Sequence, residues 1–301
     1  MSPNPLVSVV VPVLNGERHV GTCLASVLSQ TYSDLEVVVS LNASRDATSD
    51  VVRSFDDTRL RILPEPPSIL SVHENWTRAL SAANGELVKL VCHDDVLLPD
   101  GVRIQTELLQ RHPSAVLVSG RRRIIDDTGA TVIAARGLGT LLGPADTREV
   151  GASEIARACT RAGTNLLGEP ASVLIRRSAL PDPLLDPRWS YAMDLEFYLR
   201  CIKGDPVVVD GRVLGGFRAS PTQMSAMMAR DQTRELRALL NEMPVRYPGV
   251  VRREDVRRGI VMAELQTAAR RALYLRMRWS AHVTHWARRV RRHEDSTVEH
   301  F

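Results

Sequence analysis

The sequence predicts an α/β fold in which helices flank a mostly parallel sheet, followed by a helical C-terminal extension. Short β-branched runs alternate with segments of helical periodicity, a rhythm typical of parallel sheets covered on both faces. The chain has 301 residues, of which 44% are hydrophobic and 25% charged. This composition is that of a globular protein, and the length suffices for one large domain with an appendage.

The first half of the chain repeats a strand–helix order. Residues 6–12 form a valine-rich run that a proline ends, as expected of a buried strand. Residues 16–30 carry apolar side chains at helical spacing. The pattern continues with strands at 35–41, 60–63, 87–91 and 115–120, and with helices at 49–55, 73–83 and 100–112.

The second half is less regular. A hairpin is expected over 124–133 because Asp126–Gly129 has turn composition. A helix at 153–161, a strand at 171–175 and an amphipathic helix at 193–202 follow. Two short strands, 207–209 and 213–214, are expected around a turn at Asp210-Gly211.

From residue 230 onward the sequence is helical in pattern and rich in arginine pairs, so we divide the chain into domains at 1–228 and 229–301. Three interpretations of the C-terminal region stay open. It forms a solvated helical bundle, a homodimer element built on Leu273, Trp279 and Trp286, or a basic amphipathic surface that contacts anionic membrane lipid.

Composition excludes some classes of function. The formal charge is +4, but only 4% of residues are aromatic, which leaves few platforms for stacking nucleic-acid bases. The basic residues concentrate after the predicted sheet, whereas the predicted crevice is acidic and would repel phosphate backbones. We therefore expect no nucleic acid among the partners.

The four cysteines lie far apart and form no CxxC pair, which argues against a zinc knuckle or a disulfide scaffold. The sequence shows no signal-peptide pattern, and no apolar run approaches the roughly 18 residues of a membrane span. The expected location is the cytoplasm, with peripheral attachment to the inner face of the membrane as an open alternative.

Two adjacent carboxylates, Asp94 and Asp95, follow the predicted strand at 87–91. Neighbouring anions repel each other, and hard oxygen ligands suit Mg²⁺ or Mn²⁺. Ligands of parallel sheets bind beyond the carboxyl ends of the strands. Residues 12–15 and 41–44 follow two other strands, so the three polar loops are expected to meet in one crevice.

Several segments in order resemble inverting family-2 glycosyltransferases, which have the GT-A fold, a Rossmann-like nucleotide-diphospho-sugar transferase architecture. The resemblance covers about residues 6–225. The segments that carry it are SVVVPVLNGE at 8–17, SVLSQTY at 26–32, NASRDAT at 42–48, ENWTRAL at 74–80, HDD at 93–95, GEPASVLIRR at 168–177 and AMDLEFYLR at 192–200.

The resemblance implies a hexosyltransferase that moves a sugar from a UDP-, dTDP- or GDP-linked donor to a hydroxyl of a glycan or lipid-linked acceptor. It implies Mn²⁺ or Mg²⁺ as cofactor, a role in cell-envelope polysaccharide or glycolipid synthesis, a nucleotide-binding half at about 1–125 and an acceptor half at about 126–228. Asp95 and Asp94 would be metal ligands, and Asp194 the catalytic base. The residues expected to bind the nucleotide sugar are Pro12, Asn15, Glu17, Asn42, Asn75, Arg78, Asp94 and Arg218.

The sequence departs from the family's motifs at three positions. Leu41 stands where relatives carry an aspartate that helps to recognise the nucleotide, Cys92 replaces the first acid of a D-x-D-D pattern, and Met193 replaces a glutamate before the base. A degenerate, non-catalytic relative is therefore an alternative, as is a basic nucleic-acid-binding protein. A sugar-nucleotide pyrophosphorylase would need a G-x-G-T-R loop after the first strand, which 12–16 does not match. Simpler roles also exist for Arg78, on a solvated helix face, and for Asp194, as a helix cap.

Overall fold

The computed structural model describes residues 4–143, 146–220 and 231–272. The strands are β1 Val7–Val13, β2 Leu35–Leu41, β3 Leu60–Ile62, β4 Leu87–Leu90, β5 Val96–Leu97, β6 Leu117–Ile125, β7 Thr131–Arg136, β8 Thr147–Val150, β9 Val173–Arg176 and β10 Val207–Arg218. The helices are α1 Val20–Leu28, α2 Thr48–Arg53, α3 Val72–Ser81, α4 Gly101–Arg111, α5 Ala152–Ala162, α6 Met193–Ile202, α7 Asp231–Arg246 and α8, over 253–272.

One sheet joins the described strands in the order β3-β2-β1-β4-β9-β6-β10-β5, with β7 beside β6 and β8 beside β10. The predicted α/β fold with a central sheet between helices is confirmed. The first half of the sheet, β1 to β4, is parallel throughout. The second half is mixed, because β9 enters antiparallel between β4 and β6. β6 and β10 then run parallel to each other.

Both faces of the sheet are buried, as the valine-rich strands predict. Val9 and Val11 of β1 lie in a cluster with Leu24 of α1 and Leu108 of α4. Val10, between them in sequence, faces a second cluster that α3, α5 and α6 complete. Alternate side chains of one strand therefore hold opposite layers of helices, and this fixes the strand ends relative to one another.

The C-terminal helices share a core with the sheet. Leu239 of α7 and Val256 of α8 belong to the same buried cluster as Phe197 of α6. The predicted dimer residues, Leu273, Trp279 and Trp286, lie outside the described residues. In the part of the chain that the structure describes, no helix combines the length and apolarity needed to cross a bilayer.

The expected turn at Asp210-Gly211 is wrong. The chain continues as one strand, β10, with shifts in its pairing register with β6 on either side of Val213. Asp210 is fully buried and accepts hydrogen bonds from the backbone nitrogen and guanidinium of Arg212. An aspartate so held stabilises a bulge within the strand, whereas a hairpin turn would leave it in solvent.

Lys89 is a buried cation in the middle of β4. Its Nζ donates to Gln105 Oε1 of α4 at 2.9 Å and to the backbone oxygen of Val173 at 3.1 Å. Gln105 Nε2 in turn donates to the backbone oxygen of Ser172 at 2.8 Å. This network fastens the start of β9 to β4 and α4, and burial lowers the pKa of Lys89 to about 7.

We expect Lys89 to make folding stability increase as the pH rises through the alkaline range. Between the folded-state pKa of about 7 and the ordinary lysine pKa of 10.5, the unfolded chain binds a proton that the folded chain does not. The free energy of unfolding should therefore rise with pH in this window, by up to about 1.4 kcal/mol per pH unit. Urea unfolding from pH 7 to pH 10 measures the slope.

The Lys89→Met variant should lose this alkaline rise, because methionine does not titrate. The matched control is Lys203→Met, which changes the chain's other lysine at an exposed position and should keep the wild-type slope. Equal slopes in the wild type and in Lys89→Met would contradict the prediction.

Candidate active site

The loops after β1 and β2 are bound to each other. The Asn15 backbone nitrogen donates to Ser44 Oγ at 2.9 Å, and Asn15 Oδ1 accepts from the Arg45 nitrogen at 2.9 Å. Glu17 Oε2 accepts from the Ala47 nitrogen at 2.9 Å. The two polar residues predicted to bind the nucleotide sugar thus also hold these loops together at the edge of the sheet.

Asn42 directly follows β2 and Asn75 lies on α3, and both side chains are buried. The Asn42 amide forms a pair of hydrogen bonds with the backbone of Leu70, donating at 2.9 Å and accepting at 2.7 Å. Asn75 Oδ1 accepts from Ser40 Oγ at 2.7 Å. Asn42 therefore anchors the loop that precedes α3, with its amide engaged in the folded chain.

Arg78 on α3 reaches back to the carboxyl end of β2. Its guanidinium donates to Ser40 Oγ at 3.2 Å, to the Leu41 carbonyl at 3.1 Å and to the Pro64 carbonyl. Arg78 is therefore engaged with protein groups and does not extend into solvent as it would on a solvated helix face. Its side chain connects the loop after β3 to the end of β2, next to the buried Leu41.

Asp94 and Asp95 follow β4 and meet Arg218 at the end of β10. The Arg218 backbone nitrogen donates to Asp95 Oδ1 at 2.9 Å, and its Nε donates to the Asp94 carbonyl at 2.8 Å. Its Nη1 donates to the Asp126 carbonyl at 2.6 Å. Arg218 thus joins the loop after β4 to the β6–β7 hairpin. The resemblance to family-2 glycosyltransferases also implies that residues 217–225 form a loop that closes over the diphosphate. Of these, residues 221–225 lie outside the described part of the chain.

Asp95 is the most constrained carboxylate of the crevice. Its side chain is fully buried, and its Oδ2 has no hydrogen-bond partner in the described structure. Burial first and the neighbouring Asp94 second raise the pKa of Asp95 well above its usual range. A buried acceptor without a donor costs free energy unless a cation or ligand completes it.

Among the described residues, one group of possible metal ligands is found: Cys92, Asp94 and Asp95, whose ligand atoms lie within 4.8 Å of one another. The orphaned Asp95 Oδ2 and the carboxylate oxygens beside it fit a divalent cation. His93 is not part of this group. Its ring instead packs on Gly16, where an added Cβ would lie 2.5 Å from His93 Cδ2.

Asp194 lies in the first turn of α6. Its Oδ2 accepts from Asn165 Nδ2 at 2.8 Å, and its Oδ1 accepts from the Leu195 nitrogen at 2.7 Å. Burial is the main influence on this carboxyl and raises the pKa of Asp194, while the Asn165 hydrogen bond acts against that rise. A carboxylate with raised pKa is a stronger base than one in water.

Arg122 links the two carboxylates electrostatically. It is buried in β6, its Nη2 donates to Glu169 Oε1 at 2.9 Å, and its Nε contacts Glu169 Oε2. Burial and the nearby Arg136 lower the pKa of Arg122 to about 10, while Asp194 and Asp95 act to raise it. Arg122 therefore lies near enough to interact electrostatically with both the predicted metal ligand and the predicted base.

Asn165 and Arg122 were missing from the sequence prediction. Asn165 lies in a loop 29 residues before the carboxylate it contacts, and no local pattern connects the two. Arg122 belongs to an Arg121–Arg123 run within a strand. An arginine at the inward-facing position of such a run is the one signal that could have indicated it.

The family model described as glycosyl transferase family 2 matches residues 8–180, more than half of the chain. The chain belongs to glycosyl transferase family 2. The predicted resemblance is confirmed, and the family match supports the predicted enzyme class, a glycosyltransferase.

Curated relatives match part of the chain. The putative glycosyltransferase EpsH of Bacillus subtilis is 31% identical over 98 residues, 32% of this chain and 28% of the relative. Chondroitin synthase of Pasteurella multocida is 28% identical over 130 residues, 42% of this chain and 13% of the relative. The chain thus spans less than a third of the length of each of these two relatives.

Solved structures share the fold. Staphylococcus aureus TarS, residues 1–349, in complex with UDP-GlcNAc gives a TM-score of 0.63 at 17% identity, covering 89% of this chain and 71% of that 1–349 fragment. The mannosyltransferase PcManGT of Pyrobaculum calidifontis, in complex with GDP-Man and Mn²⁺, gives a TM-score of 0.61 at 18% identity. The match with PcManGT covers 93% of this chain and 76% of the PcManGT chain.

Removing the Asn165 amide should raise the pKa of Asp194 further, because the amide stabilises the carboxylate form. We expect this upward shift in Asn165→Ala by carboxyl ¹³C NMR titration, with Asp194→Asn identifying the resonance. Asn84→Ala is the control, since Asn84 is exposed and bonds Glu36 instead. An unchanged Asp194 titration in Asn165→Ala would refute the contact.

Proposed function

We propose that this chain is a metal-dependent inverting glycosyltransferase that moves a sugar from a nucleotide-diphosphate sugar to a hydroxyl of a glycan or lipid-linked acceptor. The observation that carries the proposal is the buried Arg122, which interacts electrostatically with both Asp95 and Asp194. The two carboxylates would serve separate tasks, one on the leaving group and one on the acceptor.

Asp194 is proposed as the base. The acceptor oxygen attacks the anomeric carbon while its proton passes to the Asp194 carboxylate. The bond between that carbon and the diphosphate oxygen breaks, and the nucleoside diphosphate departs. Asn165 and the Leu195 nitrogen would keep the carboxylate oriented for this transfer. Attack from the face opposite the leaving group inverts the anomeric configuration.

Asp95 and Asp94 are proposed to hold Mn²⁺ or Mg²⁺, and the orphaned Asp95 Oδ2 supports this. Such an ion, when bound, neutralises charge that develops on a diphosphate leaving group. The Arg218 guanidinium is fixed against the backbone of Asp94 and adds a second positive charge at this side of the cleft. A glycosyltransferase of the same fold carries GDP-Man with Mn²⁺.

The remaining predicted residues, Pro12, Asn15, Glu17, Asn42, Asn75 and Arg78, are proposed to shape the nucleotide pocket at the ends of β1 and β2. The donor class stays open. Neighbours of this fold bind UDP-GlcNAc or GDP-Man. In this chain, Leu41 replaces the aspartate that relatives carry beside the nucleobase and ribose. Relatives such as chondroitin synthase support polysaccharide synthesis as the process served.

A thermal-shift panel tests the proposal. UDP, dTDP, GDP and CMP are each added with and without Mn²⁺, and one nucleotide should raise the Tm only when Mn²⁺ is present. Ligand at roughly a hundred times Kd adds about 2.7 kcal/mol to apparent stability. The Asp95→Asn variant should lose this stabilisation, because it loses the charge that binds the ion.

Asp194→Asn distinguishes a catalyst from a degenerate relative. It should bind the same nucleotide with Mn²⁺ as the wild type does, yet lose the donor turnover, by about a hundredfold or more. If no nucleotide stabilises the wild type, or if donor turnover in Asp194→Asn equals that of the wild type, the proposed function is wrong.

We also propose contact with anionic membrane lipid through α5 and α8, which would suit a lipid-linked acceptor. The two helices border a cleft of about 890 Å³. Its lining combines the apolar residues Ala158, Ala162, Val250 and Met262 with the arginines Arg157, Arg161, Arg252 and Arg258. Asp255 pairs with Arg157 and Arg161. Arg252 and Arg258 are exposed on the same surface, available to lipid phosphate.

Vesicle flotation tests this contact. Changing Arg252 and Arg258 together to glutamine should weaken binding to phosphatidylglycerol vesicles by about tenfold or more, since each basic residue contributes about 1 kcal/mol. The matched control is a double change of the half-buried Arg103 and the exposed Arg111 on α4, which both pair with Glu107. Equal losses in both double variants, or no binding of the wild type, would contradict the proposal.

A further inference from the structure

Cys92 is the third member of the cluster at the end of β4. Its sulfur lies within 4.8 Å of the ligand oxygens of Asp94 and Asp95. Asp95 Oδ2, fully buried and without a partner in the described structure, belongs to the same cluster. A thiol thus stands beside two carboxylates at the point where the chain leaves the strand.

The polar groups around the cluster leave the sulfur available as a ligand. The carbonyl oxygen of Cys92 accepts hydrogen bonds from the Asp95 backbone nitrogen at 3.0 Å and from the Cys23 thiol at 3.5 Å. Arg218 directs its Nε to the carbonyl of Asp94. These contacts engage backbone oxygens, so they fix the loop without occupying the Cys92 sulfur or Asp95 Oδ2.

We propose that Cys92 is a ligand of this cation site and gives it a preference for thiophilic divalent cations, Zn²⁺ or Cd²⁺. Thiolate sulfur is a soft ligand that selects such ions, whereas carboxylates suit Mg²⁺ and Mn²⁺. On binding, the thiol proton passes to solvent and a sulfur–metal bond forms, with no change of oxidation state. This inference rests on the proposed cation site at Asp95 and adds its selectivity.

Affinity for Zn²⁺ alone does not establish the role of Cys92, because carboxylate and nitrogen sites also bind Zn²⁺ more tightly than Mn²⁺. The informative quantity is the change in relative cation affinity when the Cys92 sulfur is removed. Cd²⁺ is the sharper probe, since a cadmium–thiolate bond produces an ultraviolet charge-transfer band that a carboxylate ligand does not.

The experiment titrates the full chain, without nucleotide, with Cd²⁺ and with Mn²⁺ by calorimetry, and records the ultraviolet difference spectrum. The wild type should show the thiolate–cadmium band at one equivalent. Cys92→Ser should lose the band and lower the ratio of Cd²⁺ to Mn²⁺ affinity at least about tenfold. Cys92→Asp should lose the band and bind Mn²⁺ at least as tightly as the wild type.

Two further variants separate the outcomes. Cys23→Ser removes the neighbouring thiol and should keep the band, since its sulfur faces the Cys92 carbonyl. Asp95→Asn should weaken Mn²⁺ and Cd²⁺ together. A wild type without the band, or an unchanged affinity ratio in Cys92→Ser, overturns the assignment of Cys92. Mn²⁺ binding that survives in Asp95→Asn would instead overturn the proposed metal site.

Discussion

The buried carboxylate of Asp95 is the constraint on which the cleft depends. A fully buried carboxylate beside another one is unfavourable in a protein interior unless positive charge or hydrogen-bond donors compensate it. Among the described residues, the Arg218 nitrogen donates to Oδ1, and Oδ2 has no partner. A cation would satisfy that oxygen, which is why we propose a metal site at Asp95.

Meeting this constraint requires both halves of the sheet. Asp95 follows the parallel half of the sheet, whereas Arg218 ends β10 in the mixed half, 123 residues later in the chain. The antiparallel strand β9 joins the two halves, and the Lys89 network fastens its start. Arg122 then lies within electrostatic range of both Asp95 and Asp194, so the position of each carboxylate depends on how the halves pack.

Much of the fold and part of the cleft could be predicted because they follow local pattern. Valine-rich strands ending in polar residues placed Asp94 and Asp95 at one edge of a parallel sheet, since the carboxyl ends of such strands meet there. Arg122 and Asn165 were missed because their partners come from distant segments, 47 and 29 residues away. The bulge at Asp210 was missed because its composition equals that of a turn; a buried contact with Arg212 decides between them.

Anomalous diffraction from a crystal soaked with Mn²⁺ and a nucleoside diphosphate would locate the proposed metal ion. We expect a manganese peak in direct contact with Asp95 Oδ2, adjacent to the diphosphate and absent from crystals of Asp95→Asn. A nucleotide bound in the cleft with no manganese at Asp95, or a manganese peak elsewhere on the chain, would contradict it.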